Sequence, residues 1–326
     1  MILSEPMSRS LPRVFSEASR QRGYGGSIMD QAEKLRAIIK QQNQPSDSDT
    51  RIITVTSGKG GVGKSSLSIN LALQFRREGK RVIIFDADFG LANIEVMFGV
   101  IPKYTLADIM FKGRDIKEII TEGPEGVMFV SGGSGIAKLV NLDHEQVKRL
   151  VHKLSELEDM ADVIIVDTGA GISSSVIEFV ASSPEVLLVT TPEPTSITDS
   201  YALLKALAMH QDFDRDAVKI NVVANKVNSA SESKAIYEKL SAVVERFLGI
   251  ELIYLGDVPY DSNITRAVMK QKPVSIAYPS SNPARAIRTI SERLMNGDDG
   301  VTAGKKGVSY FFSKVFENRR KNSNQR

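Results

Sequence analysis

The sequence predicts an α/β fold: a three-layer α/β/α domain with a mostly parallel central sheet, flanked by an N-terminal helix and a C-terminal amphipathic helix. Three observations predict it. Short apolar, β-branched runs recur along the body, amphipathic segments lie between most of them, and a glycine-rich loop joins the first run to the first amphipathic segment. Runs that are apolar at every position are strands buried on both faces, and strands separated by helices pair in parallel. Right-handed crossovers then place helices on both sides of the sheet.

The runs fall at 52–56, 81–85, 127–130, 163–166, 186–190, 219–224 and 252–255. In the helical segment 64–78, Leu67, Leu71 and Phe75 share one face. Ahead of the first run, residues 1–28 are polar, contain Gly23, Gly25 and Gly26, and read as disordered, with Met29 as an alternative start. Residues 29–42 are expected to be helical, because Ile28, Ala32, Leu35, Ile38 and Ile39 recur at helical spacing among charges. A polar linker at 43–50 carries Pro45, and the α/β domain is expected over 51–296. The breaker stretch Asn296-Gly-Asp-Asp-Gly300 opens a last part, 297–326, made of a linker and a helical tail.

Composition excludes several chemistries. The chain has no cysteine, so disulfides, thiolate nucleophiles and iron–sulfur ligation by thiolates are out. No apolar run approaches the roughly 18–20 residues that span a bilayer, so the expectation is a soluble protein or one attached to a membrane surface. The net charge of +3 is uneven: residues 305–326 hold seven basic side chains and one acid, leaving 51–304 at −4. An acidic body argues against broad, charge-driven nucleic-acid binding, and no nucleic-acid partner is expected.

The strongest local signal is Gly58-Lys59-Gly60-Gly61-Val62-Gly63-Lys64-Ser65, with Ser66 next. It matches G-x-x-x-x-G-K-[ST] in full, after a predicted strand and at the start of a predicted helix. Glycines let successive N–H groups curl round phosphates, and the helix N-terminus adds partial positive charge. Lys64 then reaches the β/γ-phosphates and the Ser65 hydroxyl ligates Mg²⁺, the cofactor expected with ATP or ADP.

With Lys59 inside the loop, the segment resembles that of the deviant Walker A ATPases, the family of the division-site regulator MinD and the partition ATPases. The resemblance implies an ATP-bound homodimer in which Lys59 reaches the other subunit's phosphates, and hydrolysis of ATP to ADP and phosphate. The strand at 163–166, ending in Asp167 and followed by Thr168-Gly-Ala-Gly171, looks like Walker B running into switch II, with Asp167 holding Mg²⁺ through water. A second strand ends in Asp86-Ala-Asp88. Alternation along an extended chain puts those two carboxylates on one side. The family match makes Asp88 the residue that orients the attacking water, puts Asp86 in the metal's outer shell and Asn93 in switch I, and assigns Asn225, Pro259 and Asp261 to the adenine side. Asn225-Lys226-Val-Asn228 lacks the final acid of a guanine-specific N-K-x-D, which favours ATP over GTP. Glu193 falls in the family's dimer and partner loop, and suits a purely structural role as well.

In the tail, Val308, Phe311, Phe312, Val315 and Phe316 form one helical face, with Lys305, Lys306, Lys314, Arg319, Arg320 and Lys321 around it. A basic amphipathic helix with aromatic residues suits an anionic membrane interface. The same face suits docking on the body as core, and both hold if docking and release alternate.

The front segment Asp30-Gln-Ala-Glu-Lys-Leu-Arg36 resembles the activating motif of the FlhG-type flagellar-number regulators of this family, through Asp30, Gln31, Ala32, Leu35 and Arg36. That resemblance implies contact with an FlhF-type signal-recognition GTPase, with Gln31 as the polar actor, partners in the flagellar switch complex, and residence in the cytoplasm and on the inner face of the cell membrane. A division-site regulator and a DNA-partition ATPase are the alternatives. The front helix disfavours the first; the acidic body and aromatic tail disfavour the second.

Overall fold

The computed structural model describes residues 50–88, 93–133, 142–296 and 307–323. The expected front helix at 29–42, with Gln31, Leu35 and Arg36, lies outside the described residues, as do most of the linker at 43–50 and residues 297–306.

In chain order the elements are β1 (Arg51–Thr56), α1 (Lys64–Arg77), β2 (Val82–Ala87), α2 (Asn93–Phe98), α3 (Leu106–Lys112), α4 (Ile116–Ile119), β3 (Ile120–Glu122), β4 (Met128–Val130), α5 (His144–Ser155) and β5 (Val163–Thr168). There follow α6 (Ser174–Ser182), β6 (Glu185–Thr190), α7 (Pro194–Ala208), β7 (Lys219–Val227), α8 (Ala230–Leu248), β8 (Ile253–Pro259), α9 (Ser262–Met269), α10 (Val274–Ala277), α11 (Asn282–Asn296) and α12 (Val308–Ser323). The sheet runs β3-β4-β2-β5-β1-β6-β7-β8, parallel throughout except for the antiparallel edge pair β3–β4.

Alternation along the strands builds two apolar faces. Val82, Ile84, Val163 and Ile165 pack under α1, α2 and α11. Ile83, Phe85, Ile164 and Val166 face α3, α5, α6 and α12. Farther along the sheet, Val186, Leu188, Ile220 and Val222 meet α6, α7 and α8. The chain leaves β1 between β5 and β6 and is led to opposite halves of the sheet, so the crevice beyond the β1 C-terminus is the topological switch point where such folds bind ligands.

Two differences from the sequence expectation have physical causes. Strand β3 went unpredicted because its three residues are partly exposed at the sheet edge and leave no apolar run. Strands β2, β5, β7 and β8 continue past their apolar runs into Asp86, Asp167, Asn225 and Asp257, polar residues that still hold ladder positions.

The tail helix takes the docked arrangement. Val308, Phe311, Phe312, Val315 and Phe316 are all buried, and α12 packs against α5 and α6 over the sheet. The Phe312 ring lies 4.9 Å from Phe85 of β2, and Phe311 lies 6.1 Å from Phe179 of α6. Asn318 donates to Asp212 at 2.9 Å, and the Val308 amide donates to Glu158. The face expected to meet a membrane is therefore inside the protein in this state.

Candidate functional site

The glycine-rich loop sits at the switch point between β1 and α1. Gly58 is there because of its neighbour: a Cβ would come within 2.1 Å of the Asp199 backbone on α7, so the loop and α7 touch backbone to backbone. Gly63, the N-cap of α1, has φ 100°, in the left-handed region that side chains disfavour. The first turn of α1 contains no acidic residue and no side chain caps it, so its N–H groups are left for an external anion. Lys64 is buried; burial pushes its pKa down, while the nearby Asp167 and Asp88 carboxylates pull it back up.

Three carboxylates approach this loop from strand ends. Asp86 and Asp167 are register partners on β2 and β5, and both are buried. Burial pushes the Asp167 carboxyl up to about 6, against the opposing pull of the Ser65 hydroxyl, Lys64 and Ser68. Burial, reinforced by Asp167, also holds Asp86 well above the ordinary range. Asp86 accepts the Asp88 amide at 3.0 Å. Asp88 accepts from Asn93 Nδ2 at 3.2 Å and stands over Gly169, whose absent Cβ would lie 3.6 Å from Asp88 Oδ1. The loop after β5 is tied to β1 by Thr168 Oγ1, which donates to Val55 O at 3.0 Å, and by the Gly171 amide, which donates to Ser57 O at 3.0 Å.

These residues fit Mg²⁺. Ser68 donates to Asp167 Oδ1 at 2.9 Å, whereas Oδ2 is buried with no hydrogen-bond partner among the described residues. An orphaned, desolvated carboxylate oxygen beside Ser65 and a phosphate cradle suits a cation that the anion helps to hold. No cluster of three or more His, Cys, Asp or Glu among the described residues makes an all-protein metal cage. Ser65 and Asp167 would hold the ion, with Asp86 behind them.

Lys59, expected to reach another subunit, is held within this one. Its Nζ donates to Glu193 Oε2 at 2.5 Å and to Thr195 Oγ1 at 2.8 Å, at the exposed N-terminal end of α7. The ion pair lowers the Glu193 pKa.

Of the adenine-side candidates, Asn225 and Asp261 line a cleft beside the loop together with Gly63, Ser66, Leu67, Lys226 and Tyr260; Pro259 does not line it. Asp261 also caps α9, accepting from the Asn263 amide at 2.8 Å. Asn225 is spent on the loop: Nδ2 donates to Val62 O at 2.7 Å and Oδ1 accepts the Lys226 amide at 2.9 Å. Sequence reasoning missed Ser68, Thr195, Lys226 and Tyr260. Two of them left a signal: Ser68 stands one helical turn after Lys64, and Lys226 follows Asn225 in the stretch compared with N-K-x-D.

The family model described as ParA, NUBPL iron-transfer P-loop NTPase matches residues 49–295. The chain belongs to the ParA/MinD family of P-loop NTPases. The iron-transfer wording of that description finds no thiolate here, since the chain has no cysteine. Within the ParA/MinD family, the antiactivator FleN of Pseudomonas aeruginosa is 42% identical over 75% of this chain and 86% of its own length. The flagellum site-determining protein YlxH of Helicobacter pylori is 33% identical over 88% of this chain and 98% of its own. Among solved structures, the septum site-determining protein MinD of Pyrococcus horikoshii, complexed with Mg-ADP, shares the fold with a TM-score of 0.60 at 24% identity, over 79% of this chain and 99% of that one.

Proposed function

We propose that this protein is an ATP-hydrolysing, dimerising switch that regulates flagellar number or placement and cycles between the cytosol and the inner face of the cell membrane. The observation that carries the reading is the position of Lys59. The cradle already has its phosphate cation in the buried Lys64, so a second lysine at the loop's outer rim is not needed by the same nucleotide. Its ties to Glu193 and Thr195 are exposed and exchangeable, and exposed ion pairs contribute little. A phosphate on a facing subunit is a stronger partner for it.

In this reading Asp88, beside Gly169, orients the attacking water, and Lys59 of the other subunit offsets charge that develops on the phosphates. Ser65 and Asp167 would hold Mg²⁺, with Asp86 farther out, and the chemistry the ion would supply is charge neutralisation at the phosphates. The Mg-ADP of the Pyrococcus horikoshii relative supports magnesium with an adenine nucleotide, and the names of FleN and YlxH support a flagellar role. The front segment, through Gln31, Leu35 and Arg36, engages an FlhF-type GTPase, and switch-complex proteins are further partners.

The docked α12 is the membrane-free form. Each of its five buried apolar side chains is worth about 1.5–3 kcal/mol, so the helix does not leave the body unaided. Insertion into a bilayer interface restores most of that burial, and a dimer offers two helices at once. Co-sedimentation with anionic vesicles tests this. Pelleting is expected with Mg-ATP and not with Mg-ADP. Lys305→Glu with Lys306→Glu and Arg320→Glu should weaken it. No pelleting under ATP, together with salt-sensitive DNA binding, would replace this reading with the partition one.

A further inference from the structure

We propose that Ser68 is a positioning residue that holds one oxygen of Asp167 and so leaves the other open to Mg²⁺ instead of to the loop lysine. The proposal rests on the reading of Ser65 and Asp167 as the magnesium side of the cradle. Ser68 stands four residues after Lys64 and three after Ser65, so all three lie on one face of α1. At the end of β5 the Ser68 hydroxyl donates to Asp167 Oδ1 at 2.9 Å. Packing alone does not call for a serine here. Leu67, Ile69, Leu71, Ala72 and Leu73 around it are core residues, Ser68 itself is fully buried, and serine is a poor residue for a helix interior.

A buried helical hydroxyl can also be satisfied by the carbonyl one turn back, and Lys64 O lies 3.1 Å from Ser68 Oγ. The Asp167 oxygen is the nearer acceptor, and a hydrogen bond to a carboxylate is the stronger of the two. The consequence falls on the other oxygen. Asp167 acts electrostatically on the buried Lys64 and stands beside Ser65, so it has two cation positions to choose from. A carboxylate free to turn would pair with Lys64 and spend the charge that the lysine offers to phosphate. With Oδ1 held by Ser68, Oδ2 is kept buried and without a hydrogen-bond partner among the described residues. A buried oxygen in that condition gains most from an ion.

The test measures ADP affinity by calorimetry, in EDTA and across a magnesium series, for the wild-type chain, Ser68→Ala, Ser68→Cys and Ser68→Thr. Cysteine keeps the size but is a weak donor, and threonine keeps the hydroxyl. In Ser68→Ala and Ser68→Cys, ADP affinity in EDTA should stay close to that of wild type. The magnesium concentration that gives half of the metal-dependent tightening should rise by roughly three- to tenfold, the worth of one hydrogen bond. Ser68→Thr should restore part of that loss. Wild-type magnesium dependence in Ser68→Cys would make the serine a matter of packing and overturn the proposal. An equal loss of ADP affinity in EDTA and in magnesium would overturn it too, because the damage would then lie in the helix and not at the metal. A wild-type chain whose ADP affinity ignores magnesium would instead bring down the magnesium reading beneath it.

Discussion

Phe312→Ala separates a docked α12 from a free one. Phe312 is fully buried, 4.9 Å from the Phe85 ring, 5.0 Å from Phe311 and 6.2 Å from Phe316. Phe85 belongs to the central strand β2, so the lost ring leaves a cavity against the sheet that little can fill. Truncations of this kind cost about 3–5 kcal/mol in a core and almost nothing on an undocked helix. In domains of roughly 150–250 residues each kcal/mol moves the melting point by about 2–4 °C, so a fall of about 6 °C or more is expected. Calorimetric melting of the nucleotide-free protein reads it directly. A nucleotide-free melting point equal to wild type would refute the docked arrangement.

Other outcomes follow from the site. The Asp167 carboxyl titrates at about 6 in the folded chain against an ordinary 3.8. Between those values the folded state binds more protons than the unfolded one, so this group makes the metal-free protein less stable as pH rises from about 4 to 6. Mg²⁺ needs the ionised form, so Mg-ADP affinity should fall as pH drops below about 6, and a flat profile in calorimetry would contradict the assignment; Asp167→Asn should reduce the dependence to the part contributed by the nucleotide's own terminal phosphate, which titrates at about 6. Gly58→Ala drives a methyl into the Asp199 backbone at 2.1 Å, and should abolish nucleotide binding in a fluorescent-nucleotide titration even where some fold survives. Glu193→Ala removes the charged one of the two ties that hold Lys59 at home, and should bring ATP-dependent dimerisation to lower protein concentration in ultracentrifugation, whereas Lys59→Ala should keep nucleotide binding and lose stimulated hydrolysis.

The sheet was legible because every central strand is apolar on both faces, and the cradle because glycine, lysine and serine at fixed spacing have few other uses. Asp86, Asp88 and Asp167 were legible as acids that end apolar runs. What the sequence hid depends on tertiary approach. Lys59 meeting Glu193 and Thr195, or Asn225 reaching Val62, joins residues more than a hundred positions apart through the packing of α7 and β7 on the loop. Asn225 was readable as polar at a strand end, which suits a base or a backbone equally. The tail was readable as amphipathic, yet the same face fits a bilayer and a sheet. Cutting the chain at Gly304 would thus strip α12 from the core rather than trim a loose anchor.

The central claim is a dimer closed over ATP with one lysine crossing between subunits. Sedimentation velocity of Asp88→Ala with Mg-ATP, with Mg-ADP and without nucleotide tests it most directly. Blocking hydrolysis should give a stable dimer with Mg-ATP and monomers otherwise, and adding Lys59→Ala should weaken that dimer. A folded Asp88→Ala protein that binds Mg-ATP to saturation and stays monomeric would contradict it.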